Sequence, residues 1–110
     1  MRRVNMYIFV AMLVLISVNL SAKDRAKALP AAGEKLFVQH CAECHGRAAQ
    51  GTDRAPALTA FVKRSEPAML LSFIKDGRLK AGMPSWSRLP DQRLSQIVTY
   101  LQTLADAQAK

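Results

Sequence analysis

Cys41-Ala42-Glu43-Cys44-His45 holds both cysteines of the chain and one of its two histidines. Two thiols three positions apart on one turn of helix can add to two vinyl groups along one edge of a haem. The next residue then lies beneath the iron with an imidazole nitrogen to offer. C-x-x-C-H is accordingly the pattern of c-type haem attachment. Three other readings fit less well. A zinc site wants four ligands, and beyond Cys41, Cys44 and His45 only His40 remains, next to the motif and badly placed to close a tetrahedron. A thioredoxin-like dithiol wants a βαβ setting that the chain lacks. A disulfide across two residues closes a very small loop and stabilises little.

Upstream of the motif, residues 1–22 read as a segment apart from the fold. Arg2 and Arg3 form a positive start, Met6 to Val18 is an apolar run, and Ser21-Ala22 precede the charged Lys23-Asp24-Arg25. That is the layout of a secretory signal peptide cleaved after Ala22, although Leu20 is larger than the usual residue three back from a cleavage site. Read as an uncleaved anchor, Val4 to Ala22 gives 19 residues, marginally enough for a bilayer, with Asn5 and Asn19 inside it. Both readings export the remainder of the chain. Lys23 to Pro30 is a polar lead-in, 31–107 the domain proper and 108–110 a tail.

The chain carries 16 Lys+Arg against 8 Asp+Glu, a formal charge of +8. Without Arg2 and Arg3, 14 basic side chains remain in the 88 residues after Ala22. The basic residues are scattered, and with export and the haem motif this speaks against nucleic acid. It points instead to a partner with an acidic docking face. A domain this small has a modest core and often needs a staple, which a tethered haem provides.

From Ala31 a helical pattern through Gly33, Leu36, Phe37 and His40 runs into Cys41. Gly46 can end it and swing the chain around the haem edge. Residues 47–64 read as an irregular haem-wrapping loop with Leu58, Phe61 and Val62 as apolar anchors. Ser65 is the expected N-cap of a helix carrying Met69, Leu70, Phe73 and Ile74, with Gly77 its stop and Met69 a core filler. A second irregular stretch, Arg78 to Leu89, holds Gly82-Met83-Pro84 and Trp86. Pro90 suits the first turn of a last helix, whose Leu94, Ile97, Val98, Leu101 and Leu104 form one apolar stripe.

Iron held by one histidine has a sixth position. His40 lies on the attachment helix and cannot readily cross to the other haem face. Met69 belongs to a helix register. Met83 sits outside any helical stripe, after a glycine that permits close approach and before a proline that fixes the chain. Its thioether is soft and uncharged, favours the ferrous state and raises the reduction potential. Met83 is the expected axial ligand, with loop packing as the alternative. Trp86 either hydrogen-bonds a haem propionate through its indole N–H or packs over the haem. Arg54, Arg78 and Lys80 are placed near enough in sequence to reach a propionate, with solvated surface charge the plainer reading of each.

Cys41-Ala-Glu-Cys-His45-Gly46, Ala55-Pro56-Ala57-Leu58, Gly82-Met83-Pro84 and a last helix with Tyr100 together resemble the class I cytochromes c. The likeness is greatest to small bacterial monohaem members and to cytochrome subunits of periplasmic dehydrogenases, and it covers roughly Ala31 to Leu104. The resemblance implies an all-α cytochrome c fold, three main helices and loops wrapped around one covalently bound haem c. It implies thioethers at Cys41 and Cys44, iron ligands at His45 and Met83, and a Pro56 carbonyl accepting a hydrogen bond from the His45 ring. It also implies that Gly33 and Phe37 cross Ile97 and Tyr100. The stretch between His45 and Met83 is short for the family, so the loop over one haem edge is expected to be trimmed.

Function is implied by the same resemblance. The chain is expected to be a periplasmic carrier of single electrons, or the electron-transfer subunit of a dehydrogenase complex, rather than an enzyme. Its partners would be an upstream dehydrogenase and a downstream oxidase or cytochrome, with no nucleic acid, and a membrane only if the N-terminal segment is retained. The alternative is a haem-based ligand binder or peroxidase-like enzyme with an open or displaceable sixth position.

Overall fold

A computed structural model of the chain describes residues 6–11 and 30–109. The signal-peptide and lead-in expectations fall largely outside the described residues; of that region 6–11 is seen, helical with exposed side chains, and Pro30, which is helical. Among the described residues no helix is long and apolar enough to cross a membrane, and no strand occurs beyond one isolated bridge, Arg78 with Met83.

Helix α1 covers residues 30–40, α2 Ala42–His45, α3 Thr59–Lys63, α4 Pro67–Asp76 and α5 Asp91–Gln108, with a 3-10 turn at Leu79–Ala81. α5 is the element against which the others pack: α3 and α4 both lie on it, and α1 crosses it. A Cβ on Gly33 would stand 2.0 Å from the carbonyl oxygen of Gln96, so the helix backbones approach as closely as only glycine allows. One turn on, Phe37 is fully buried with its ring centroid 5.6 Å from that of Tyr100. A buried aromatic of this kind contributes about 3–5 kcal/mol relative to alanine. Leu94, Ile97, Val98 and Leu101 form the expected buried stripe of α5; Leu104 packs half-buried against it, and Ala105 closes it. Ala105 falls in line with Leu94 because eleven residues make about three full turns.

Four local expectations are corrected. Residues 47–64 are not wholly irregular, because Thr59–Lys63 is helical with Val62 buried. Its anchors Leu58, Phe61 and Val62 stand at offsets 0, 3 and 4, a helical spacing too short to register. Ser65 does not cap α4; Glu66 holds the N-cap position without a side-chain bond, and the Ser65 hydroxyl donates back to the Phe61 carbonyl at 2.7 Å. The hydroxyl serves the helix behind it. Met69 is not core filler but 49% exposed, since the buried line of α4 runs through Leu70 and Ile74, and Met69 sits one position off it. Pro90 stands at the N-cap of α5 rather than inside its first turn.

The last turn of α5 is tied to the loop after the attachment turn and to α3. The Gln108 side-chain amide donates to the Ala48 carbonyl at 2.9 Å and its oxygen accepts from the Thr59 hydroxyl.

Candidate haem site

Cys41 ends α1 through a bond from its N–H to the Phe37 carbonyl (2.8 Å) and serves as N-cap of α2. The attachment segment is therefore a break and a new turn, not the straight continuation of α1. His45 N–H reaches the Cys41 carbonyl at 3.0 Å, which folds the motif into one tight turn. The two thiols are not joined; Cys44 is exposed and Cys41 half-buried. Burial, with the neighbouring Cys44 adding to it, pushes the Cys41 thiol up to about 11.

Gly46, at φ +85°, turns the chain out of α2. The following loop folds back on it: Gly51 N–H donates to the His45 carbonyl at 2.7 Å and the Thr52 hydroxyl to the Cys44 carbonyl. Arg54 pairs with Glu43 at 3.0 Å, an exposed contact worth about 0–1 kcal/mol. Arg54 thus meets a carboxylate of its own chain. The loop then sets the Pro56 carbonyl 2.9 Å from His45 Nδ1. A carbonyl can only accept, so the proton resides on Nδ1 and Nε2 keeps its lone pair for a metal. Such a bond also fixes ring orientation.

Met83 lies on the segment after α4, half-buried against the core. Its backbone is bonded both ways to Arg78, N–H to carbonyl at 2.9 and 3.0 Å. Gly82 before it adopts φ +89° in open space, so glycine is needed there for conformation alone. Gly77 is needed for both reasons: φ is +73°, and a Cβ would stand 2.6 Å from the Pro84 backbone. The Ser85 hydroxyl on the Lys75 carbonyl (2.7 Å) and Trp86 N–H on the Ile74 carbonyl (3.2 Å) complete the seam to α4.

Trp86 is buried, with its ring 5.0 Å from that of His40 and the Arg88 guanidinium 4.9 Å from its centroid. Arg78 covers the Phe73 ring at 4.4 Å, and Lys80 is exposed. The sequence did not disclose the His40–Trp86 contact, the Gln108 tie or the Thr52 bond; all three join residues whose order along the chain says nothing of their meeting.

Two unjoined thiols, an imidazole with Nε2 available and a thioether on a fixed loop make a donor set that fits haem c. They suit zinc poorly: among the described residues no three His, Cys, Asp or Glu side chains are grouped to hold a metal ion.

A family model described as cytochrome C oxidase, cbb3-type, subunit III matches residues 28–101. The chain belongs to this family. It is a c-type cytochrome with the all-α cytochrome c fold, a haem protein of electron transfer. Among its relatives, the cbb3-type cytochrome c oxidase subunit FixP of Bradyrhizobium diazoefficiens is 35% identical over 92 residues, covering 78% of this chain and 31% of its own. Subunit CcoP of Rhodobacter capsulatus is 34% identical over 97 residues, 77% of this chain and 32% of that one. Subunit CcoP of Azospirillum brasilense is 30% identical over 99 residues, 82% and 32% respectively. The chain therefore spans about a third of the length of these curated relatives. No solved structure matches it significantly.

Proposed function

We propose that this cytochrome carries one haem c in an exported, periplasmic compartment and passes single electrons between redox proteins. The single observation that carries the reading is the 2.9 Å contact of His45 Nδ1 with the Pro56 carbonyl, which leaves Nε2 available beside two unjoined thiols. Cys41 and Cys44 hold the haem by thioethers, His45 is the proximal ligand and Met83 the distal one. The bound group supplies reversible one-electron chemistry at its iron. The chain's part is to hold it. Pro56 orients the imidazole, the Gly77–Pro84 and Arg78–Met83 contacts fix the thioether, and the neutral sulfur favours the reduced state.

Partners fit the same picture. The relatives are oxidase subunits by name, which supports a terminal oxidase as the downstream partner and a dehydrogenase or another cytochrome upstream. On the Met83 segment, Arg78, Lys80 and Arg88 form no ion pair among the described residues, whereas Lys75 is paired with Asp91. Unneutralised cations beside the Met83 segment suit an acidic docking face and a brief encounter.

The test is an optical spectrum of the purified holoprotein, ferric and ferrous, with and without carbon monoxide. A ferric sulfur-to-iron charge-transfer band that disappears in Met83→Ala, with no response to carbon monoxide in the parent, is the expected result. A high-spin spectrum that shifts with carbon monoxide would overturn the carrier reading in favour of ligand binding. The mass of the mature protein reports whether residues 1–22 are removed.

A further inference from the structure

His40 is the histidine that no ligand set uses. It ends the described helix α1, immediately before Cys41, and its ring lies 5.0 Å from Trp86, centroid to centroid, at 53°. Trp86 stands three residues after Met83 and is 9% exposed. Tilted aromatic pairs at this separation attract beyond the area they bury, because the positive edge of one ring meets the negative face of the other. The Arg88 guanidinium, 4.9 Å from the Trp86 centroid, adds a cation to the same ring.

The contact joins two parts of the site that share the common core but, among the described residues, no hydrogen bond. On one side, the attachment turn is tied to α1 and to the Pro56 loop. On the other, the Met83 segment is tied to α4: Met83 to Arg78, Ser85 to Lys75, Trp86 N–H to Ile74. All of those ties fasten Met83 to one neighbour. The His40–Trp86 stack fastens the same segment to the helix that carries the proximal side.

We propose that His40 is a positioning residue for Met83: its ring clamps Trp86 and so holds the methionine segment against the haem-attachment helix. This rests on Met83 being the distal ligand. Loss of the stack leaves the fold in place but lets the segment swing away more often, which opens the sixth position to an added ligand. The expected size is roughly a two- to tenfold rise in that opening, the factor that one aromatic pair is worth.

The experiment uses the holoprotein and its His40→Ala, His40→Phe and Leu104→Ala variants, the last loosening core packing one turn before Gln108, at the end of α5 tied to Ala48 and Thr59. Three quantities are measured: the ferric thioether charge-transfer band, the rate of carbon monoxide binding to the ferrous form, and the denaturation midpoint. A nuclear Overhauser contact between the His40 and Trp86 rings in the reduced parent checks the stack without reference to the iron. His40→Ala should weaken the band and speed carbon monoxide binding, and His40→Phe, which keeps a ring, should restore both. Leu104→Ala should lower the midpoint without either change. Carbon monoxide kinetics unchanged in His40→Ala, or shifted as much in Leu104→Ala, would overturn the assignment. Should the parent itself lack the band, Met83 is not the ligand and the proposal fails with that reading, visibly at the first spectrum.

Discussion

At the scale of single residues, the chemistry rests on which atoms hold protons. Pro56 has no choice of role: its carbonyl accepts, and His45 is thereby left with one nitrogen facing away from the loop. Cys41 differs from Cys44 in burial, and with its thiol pushed up to about 11 it is almost wholly protonated at neutral pH. In the haem-free chain Cys41 alkylation by iodoacetamide should therefore be slow at pH 8 and accelerate about tenfold per pH unit toward 10. Mass spectrometry of the modified peptides reads this directly. Linkage gives the matching stability effect. A thiol whose folded value lies above its ordinary 9.0 contributes stability that is complete below pH 9 and lost as pH rises toward 11. Attachment of haem abolishes that loss, because a thioether has no proton to give up.

Tyr100 behaves in the same sense after attachment. Burial, with the Glu34 carboxylate adding to it, holds its phenol above the ordinary value of 10.0. The folded state keeps this proton where the unfolded chain has lost it, so stability falls once pH exceeds 10. In Tyr100→Phe the denaturation midpoint should decline less steeply above pH 10 than in the parent.

At the scale of elements, two glycines mark where helices and loops touch. Gly33→Ala would drive a methyl group into the Gln96 carbonyl and part α1 from α5. A loss of about 1–3 kcal/mol or more, read by denaturant unfolding, is the expected cost of such overpacking. Gly77→Ala should behave differently. It strains the α4 terminus and displaces the Pro84 backbone, so it should weaken the thioether band of Met83 as well as lower the midpoint. A variant that loses stability with the band intact would show that the Gly77 contact leaves Met83 unmoved.

The long elements were legible because their patterns were long. α5 shows four buried turns, and the attachment turn is marked by residue types that have few other uses together. Gly33 and Phe37 could be matched to the last helix through the family resemblance, and they meet Gln96 and Tyr100. α3 was missed because five residues complete little more than one helical turn. Ser65 misled because a hydroxyl between two helices can serve either, and the sequence does not say which carbonyl lies nearer. Met69 misled for a related reason: one position along α4 is a 100° turn, enough to move a side chain from core to surface. The His40–Trp86 stack had no local pattern at all.

At the scale of the whole molecule, a small core and an excess of positive charge set the behaviour. Among the described residues twelve apolar side chains make up the buried cluster, a modest core that a covalent group at its edge would reinforce. Cys41→Ala/Cys44→Ala, which cannot be tethered, should unfold at least about 10 °C below the holoprotein in a thermal scan. Charge is tested by electron transfer to small oxidants. Raising ionic strength from about 10 to about 150 mM shortens the screening length from about 30 to about 8 Å. Oxidation of the ferrous protein by ferricyanide should then slow several-fold, while oxidation by a cationic cobalt complex should not. Equal salt responses would mean that the cations around Met83 do not steer encounter.

α5 lies last among the described helices, yet α1, α3 and α4 all take their packing from it. A chain emerging N-terminus first presents Cys41 and Cys44 long before the helix that organises their surroundings has appeared. Gln108, which pins the loop between the cysteines and α3, comes later still. The order of synthesis thus leaves both thiols without the packing of α5 until its last described turn has emerged.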